Sequence, residues 1–483
     1  MLNFWKKDKK FYITTSIAYV NSEPHIGYAL ELIQADVLAR YYRQRGRDVF
    51  FQTGTDEHGS KIQRAAEVSK KSPQEFVDGL SEKFKGLKPL LDLSWNNFIR
   101  TTDKKNHWPV AQAVWLRILA SGDLYKKKYS GYYCVGCEAF KTGRDIVDGK
   151  CITHKKDLEF IEEENWFFRL SKYTKEVESL IKKDKLKIVP ETRKNEILAL
   201  AREGFEDVSF SRSKKHLKWG IPVPDDDSQV MYVWADALTN YISGYGGIEK
   251  WEEHPSDVHM IGKDISRFHA ALWPAMLISA KLSLPKNIFI HGFITSGGEK
   301  MSKSLGNIID PYELIKKYGI DPVRYYLLRE ISSSGDGDFS YEKFEERYNG
   351  DLANGLGNFA ARVLTLASKE GGLSGKSKKD IENFINLTNK NTENFKFDVA
   401  LNEIWNLIHY GDGYLNLTKP WSKDLPEAKR KEVIYDLVFM LKTISELLVP
   451  FLPETAKKIS EAIEIKEGEF IAKKIDNLFP RLQ

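Results

Sequence analysis

Cysteine is scarce: three residues in 483. That is too few, and the wrong parity, for a disulfide framework. No apolar run approaches the ~18 residues that a membrane span needs. The first ten residues are Lys-rich without an apolar stretch, which argues against a secretory signal. Charge of one sign is also lacking, because 73 basic and 68 acidic side chains leave a formal net charge of only +5. Any hold on nucleic acid therefore has to come from local patches. There is no internal repeat. What remains is a cytoplasmic protein, too long for one ordinary domain. Its hydrophobic fraction of 42% is ample for a core.

The few cysteines are clustered. Two residues separate Cys134 from Cys137, thirteen residues follow, and then two residues separate Cys151 from His154. This set fits a tetrahedral Cys3His zinc knuckle, with Gly131, Gly136, Gly143 and Gly149 suited to tight turns around it. Four ligands leave no open position, so one structural Zn2+ is expected. The alternative is three unrelated thiols beside a surface histidine.

Phe11–Ile17 is rich in aromatic and β-branched residues and reads as a strand. After Pro24, apolar residues Ile26, Leu30, Ile33, Val37 and Tyr41 recur at helical spacing, Gly46 closes the helix, and Val49–Phe51 begins a second strand. Pro24-His25-Ile26-Gly27-Tyr28 thus occupies the first turn of a βαβ unit, where free N–H groups and the helix dipole favour a phosphate. The second motif, Lys300-Met301-Ser302-Lys303-Ser304, follows Gly297-Gly298. Alone, its two lysines describe any solvated basic loop.

In this order the two motifs resemble the signature of class I aminoacyl-tRNA synthetases. Tyr232–Tyr241, His259–Ile265, the cysteine cluster and Lys419-Pro420-Trp421 narrow the resemblance, over essentially the whole chain, to methionyl-tRNA synthetases of the short bacterial type. The resemblance implies an α/β fold: a Rossmann-like parallel-sheet catalytic domain interrupted by a zinc-knuckle insertion, then an all-α helical-bundle anticodon-binding domain. The expected boundaries are 1–115 and 231–292 for the catalytic halves, 116–230 for the insertion, 293–340 for the lysine loop and stem-contact region, and 341–483 for the bundle.

It also implies residue roles. Ile17, Tyr19, Asp56, Trp234, Ala237, Leu238, Tyr241, Ile265 and His269 would bind methionine, with Asp56 pairing the α-ammonium. Aromatic rings suit a thioether, at roughly 0.3–1.5 kcal/mol per contact. Trp234, Ala237 and Tyr241 would equally form a helical core face, His269 a core histidine and Asp56 a turn residue. ATP would meet His25, Gly27, Tyr28, Gly262, Asp264, Lys300 and Lys303, with His25, Tyr28, Lys300 and Lys303 acting in catalysis. The glycines before Lys300 would let that loop close on ATP. Arg212 would organise the site. Asn354, Arg362 and Trp421 would read the anticodon; capping and a solvated arginine are the alternatives for the first two.

The expected reaction is ATP-dependent ligation of L-methionine to elongator and initiator tRNA(Met) through methionyl-adenylate, with Mg2+ accompanying ATP. Transfer would begin at the 2′-hydroxyl of the terminal adenosine. One departure stands out: Tyr28 occupies the position where the class usually has histidine, and a phenol carries no positive charge at neutral pH. The alternatives are a class I enzyme for another apolar amino acid and a non-catalytic tRNA-binding paralogue. An appended tRNA-binding domain after the bundle is not expected, and a monomer is.

Overall fold

The computed structural model describes residues 10–136, 139–141, 145–153, 155–301 and 307–482, with 139, 140 and 300 described by backbone alone. The chain forms two compact units. One comprises Met1–Pro24, Arg47–Lys88 and Trp95–Ile290; the other His25–Gly46, Pro89–Ser94 and His291–Gln483.

The first unit is organised by a seven-stranded sheet. Its path runs Lys187–Val189, Asn287–His291, Val258–Gly262, Lys10–Thr15, Asp48–Asp56 and Ala18–Tyr19, with Asn97–Arg100 also paired to Asp48–Asp56. Ile13 stands opposite Val258 on one side and Phe51 on the other, both in parallel register. A parallel sheet is covered on both faces, so its strands read as continuous apolar runs. Phe11-Tyr12-Ile13 and Ile288-Phe289-Ile290 are such runs, and all six residues are buried. The strand expected over 11–17 spans Lys10–Thr15; Ser16 then leaves it while still donating its N–H to Met260 O at 3.0 Å.

Within 116–230, Leu124–Cys134 and Glu159–Phe168 form a long antiparallel ladder, flanked by Val208–Ser209 and Ala139–Lys141. Lys128 lies opposite Glu164 in that ladder, a cross-strand pair of opposite charge.

The second unit begins with the helix Ile26–Gln44. Its buried Asp36 accepts from Arg324 at 2.9 Å, from Arg40 at 2.7 Å and from the Ser94 N–H at 2.8 Å. Burial opposes that charge, but Arg324 and Arg40 outweigh it and hold the carboxyl below its ordinary range. Arg324 also donates to the carbonyls of Leu91, Pro450 and Phe451, so one buried guanidinium anchors the motif-bearing helix to the bundle. The bundle is built mainly from Asn358–Ala367, Glu382–Glu393, Phe397–Thr418, Glu427–Leu448 and Pro453–Ala462. It also carries a small sheet, Gly372–Leu373, Glu469–Ala472 and Ile463–Lys466, which the sequence reading did not anticipate.

Candidate active site and anticodon face

The carboxyl ends of the central strands carry Asp56 and Gly262, the edge where open α/β sheets bind ligands. Tyr19 pairs with Asp56 in register, and Val20 donates its N–H to Asp56 O at 3.1 Å. Asp56 is buried, whereas Ile17 and Tyr19 are partly buried. Trp234 and Ala237 lie on the short helix Val233–Ala237, Leu238 follows it, and Tyr241 lies on the next turn, Asn240–Ser243. Hydrogen bonds from Tyr12 and Gln52 tie that turn to the sheet. Tyr12 Oη donates to Tyr241 O at 2.7 Å, and Gln52 Nε2 donates to Asn240 Oδ1 at 2.9 Å. Tyr19, Trp234 and Ile265 pack on the same buried cluster that contains Leu238 and Tyr241.

His269 closes this region. Its Nδ1 faces Ile265 O at 3.1 Å, an acceptor only, so Nδ1 carries the proton. Nε2 then accepts from Tyr241 Oη at 2.6 Å. Burial lowers the His269 pKa to about 4, which keeps the ring neutral at physiological pH. Burial likewise pushes His259 well down; its Nδ1 meets Thr14 Oγ1 at 2.7 Å, and its ring lies 4.1 Å from that of Tyr241. The result is an uncharged, aromatic-lined region. Phe268, which the sequence reading passed over, stacks on Trp234 with centroids 4.0 Å apart. Its only signal was adjacency to His269. Gly262 is buried, and Asp264 is exposed on the 3-10 turn Lys263–Ile265. Arg212 is buried, donating to Ser211 O at 2.7 Å with its guanidinium 4.5 Å from the Tyr232 ring centroid.

In the second unit, His25 is the N-cap of Ile26–Gln44 and accepts the Gly27 N–H on Nδ1 at 3.1 Å. In a neutral ring the proton is then on Nε2, a donor suited to a phosphate oxygen. Any Cβ at position 27 would lie 2.9 Å from His25 Cε1, so glycine is required for this ring placement; the same point is 4.0 Å from Met301 Cε. The first motif and the start of the second are therefore neighbours. Tyr28 is partly buried. Gly297 and Gly298 both have positive φ, +65° and +76°, and make the two-residue turn between Ile294–Ser296 and Glu299–Lys300. Asp338 pins that turn, accepting from Thr295 Oγ1 at 2.7 Å and the Gly298 N–H at 2.8 Å. The glycines serve a hairpin, where the sequence suggested loop mobility. Lys303 lies outside the described residues, as does the Lys300 side chain.

Cys134 and Cys151 are both buried. Cys151 begins a tight turn in which Lys155 donates its N–H to Cys151 O at 2.7 Å and Lys156 O accepts from the Cys151 N–H at 3.0 Å. Cys134 ends the strand Leu124–Cys134, and a buried thiol at each of these two positions suits zinc, whose preferred ligands are thiolates. Cys137 and His154 lie outside the described residues.

On the bundle, Arg362 pairs with Asp412 at 2.7 Å and its guanidinium sits 5.5 Å from the centroid of Trp421, which is 51% exposed. Asn354 is exposed and accepts from Arg481 Nε at 2.9 Å. Asn358 is also exposed, one helical turn before Arg362.

A parallel sheet with a histidine-capped helix, a following lysine hairpin and an appended helical bundle defines the class I aminoacyl-tRNA synthetases. A family model described as "tRNA synthetases class I (M)" matches residues 11–157 and 142–364, and one for the anticodon-binding domain of tRNA ligase matches 379–478. The methionine–tRNA ligase of Caldanaerobacter subterraneus is 42% identical over 478 residues, 95% of this chain and 74% of that protein. The enzyme of Brucella suis is 39% identical over 95% of this chain and 92% of its own length. The structure of Mycobacterium tuberculosis methionyl-tRNA synthetase in complex with methionyl-adenylate superposes with a TM-score of 0.91, at 36% identity, covering 98% of this chain and all of that one. The chain belongs to the methionine–tRNA ligase family of class I synthetases.

Proposed function

We propose that the protein ligates L-methionine to tRNA(Met), elongator and initiator, as a cytoplasmic monomer that binds one structural Zn2+ and uses Mg·ATP. The observation that carries this reading is the neutral Tyr241–His269 pair beside Trp234 and Phe268. An uncharged aromatic wall accepts a thioether and offers no counter-charge to an ionised side chain. Ile17, Tyr19, Ala237, Leu238 and Ile265 complete the apolar lining, and Asp56 takes the α-ammonium as a charge-assisted pair.

The methionine carboxylate attacks the α-phosphorus of ATP, the bond to the bridging oxygen breaks, and pyrophosphate leaves. Little covalent help is required, so positioning and charge neutralisation dominate. His25 Nε2–H and the helix N-terminus donate to phosphate oxygens, and Gly27 allows that approach. Lys300 and Lys303 neutralise the departing pyrophosphate. Tyr28 donates one neutral hydrogen bond in place of a charge, and Gly262 and Asp264 contact the adenosine. Mg2+ bound with ATP would supply further charge neutralisation at the phosphates. A terminal ribose hydroxyl of the tRNA then attacks the mixed anhydride, releasing AMP. Cys134, Cys137, Cys151 and His154 hold zinc as a fold-stabilising cross-link.

Trp421 stacks an unpaired anticodon base, while Asn354, Asn358 and Arg362 hydrogen-bond base edges. Charging of tRNA(Met) transcripts with labelled methionine tests the reading. Charging that is lost on exchanging the anticodon supports it; charging of any tRNA regardless of anticodon, or of none, contradicts it.

A further inference from the structure

The first unit holds a buried polar network that the proposed chemistry leaves unused. Asp236, one residue before Ala237 and two after Trp234, is 1% exposed. Its Oδ2 accepts from His58 Nδ1 at 2.6 Å and its Oδ1 accepts from His107 Nε2 at 2.7 Å. His107 Nδ1 in turn lies 2.8 Å from Ser243 Oγ. The two histidines that meet this carboxylate, and the serine behind His107, belong to different segments. His58 is two residues beyond Asp56, His107 immediately precedes the helix Trp108–Ala120, and Ser243 ends the turn that carries Tyr241.

From this geometry we infer that Asp236 is a positioning residue for methionine, fixing Asp56 and Tyr241 relative to Trp234 by holding His58 and His107. The inference rests on the methionine-pocket reading above. It does not require Asp236 to touch the substrate. Nor is the network needed to keep the Asp56 segment folded. Glu57 is held independently by Arg100 at 2.7 and 2.9 Å, its N–H donates to Thr101 Oγ1 at 2.9 Å, and Trp219 Nε1 donates to Glu57 O at 2.5 Å. What Asp236 adds is the side-chain link from that segment to the Trp234 helix. Two hydrogen bonds from histidines to one buried carboxylate are charge-assisted and short, which makes the link stiff. Burial opposes the charge on Asp236, but the two rings outweigh it and keep the carboxyl below its ordinary range.

A displacement of a charge partner by about 1 Å can cost up to ~100-fold where geometry matters. In methionine-dependent ATP–pyrophosphate exchange, Asp236→Asn should therefore raise KM for methionine about tenfold, leaving KM for ATP within about twofold. His58→Ala should do the same. His58→Asn, whose side-chain amide can occupy the Nδ1 position and donate to Asp236, should restore most of the loss. Asp56→Asn serves as the reference. If Asp56→Asn leaves KM for methionine unchanged, the pocket reading itself fails. If Asp56→Asn raises it and folded Asp236→Asn does not, the positioning role is overturned. Equal losses in both substrates' KM, or no difference between His58→Ala and His58→Asn, would reduce Asp236 to a structural residue and likewise overturn it. Should Asp236→Asn fail to fold, the two His58 variants decide by the same criteria.

Discussion

The proposed methionine region and the proposed anticodon face are built in opposite ways. In the first, Tyr241 and His269 are each 1% exposed, and their polar atoms are bonded to each other before any ligand arrives. In the second, Trp421 is half exposed, and Arg362 is held by Asp412 and Asn416 on a solvated helix surface. A small apolar ligand gains from burial and from neutral surroundings, so its site is preorganised inside the core. A nucleic-acid loop brings charge and unstacked bases, so its site keeps an open ring and cations that can exchange partners. The buried site is therefore expected to fail by loss of geometry and the exposed one by loss of single contacts.

The comparison can be sharpened by substitution. The largest effect is expected at the phosphate-binding helix start: His25→Ala should lower the rate of adenylate formation by ~10²–10³, the range for removing one preorganised transition-state donor. Stopped-flow or exchange kinetics would read it, with methionine affinity unchanged. Next comes Asp56→Asn, which removes one partner of a charged pair worth about 1.5–3 kcal/mol. KM for methionine should rise by one to two orders of magnitude in the exchange assay, with no change in tRNA affinity. Trp421→Ala should remove a stacking contact worth ~1–3 kcal/mol, lowering kcat/KM for tRNA about 5- to 150-fold while exchange without tRNA is untouched. A fall in both assays would erase the distinction between the two regions. Tyr28→Phe should produce a smaller change, a two- to tenfold slower adenylation, as for loss of one neutral hydrogen bond. An unchanged rate would leave Tyr28 a packing residue.

Acid should also separate the regions. His269 titrates near 4 when folded against an ordinary value of 6.5, so between those values the unfolded chain binds more protons. The stability contribution is fully present above 6.5 and is lost as pH falls towards 4. Thermal melting from pH 7 to 4 should show this decline, and His269→Gln, which cannot charge, should make it shallower, with buried His259 supplying the remainder. The same scan on Trp421→Ala should overlay the parent curve.

Much of this was legible in the sequence because the parallel strands and the helix Ile26–Gln44 declare themselves by period and composition. The pocket was legible only through resemblance. Trp234, Ala237 and Tyr241 have helical spacing, yet two short helices, Val233–Ala237 and Asn240–Ser243, carry them, and spacing alone does not separate a pocket wall from a core face. The Asp236 network was hidden because its members, His58, His107 and Ser243, are brought together only by tertiary folding. The small sheet in the bundle was masked by helix-forming Glu and Lys in Ile463–Ala472. Its hairpin turns at Glu467 and Gly468, both with positive φ, and glycine was the available cue. Gly297-Gly298 carries the same cue for a hairpin.

The measurement that tests the account most directly is ATP–pyrophosphate exchange by the zinc-loaded protein across the twenty amino acids. The neutral aromatic site predicts exchange with methionine alone. Exchange of equal efficiency with leucine or isoleucine, or none with any amino acid in folded protein, would contradict it.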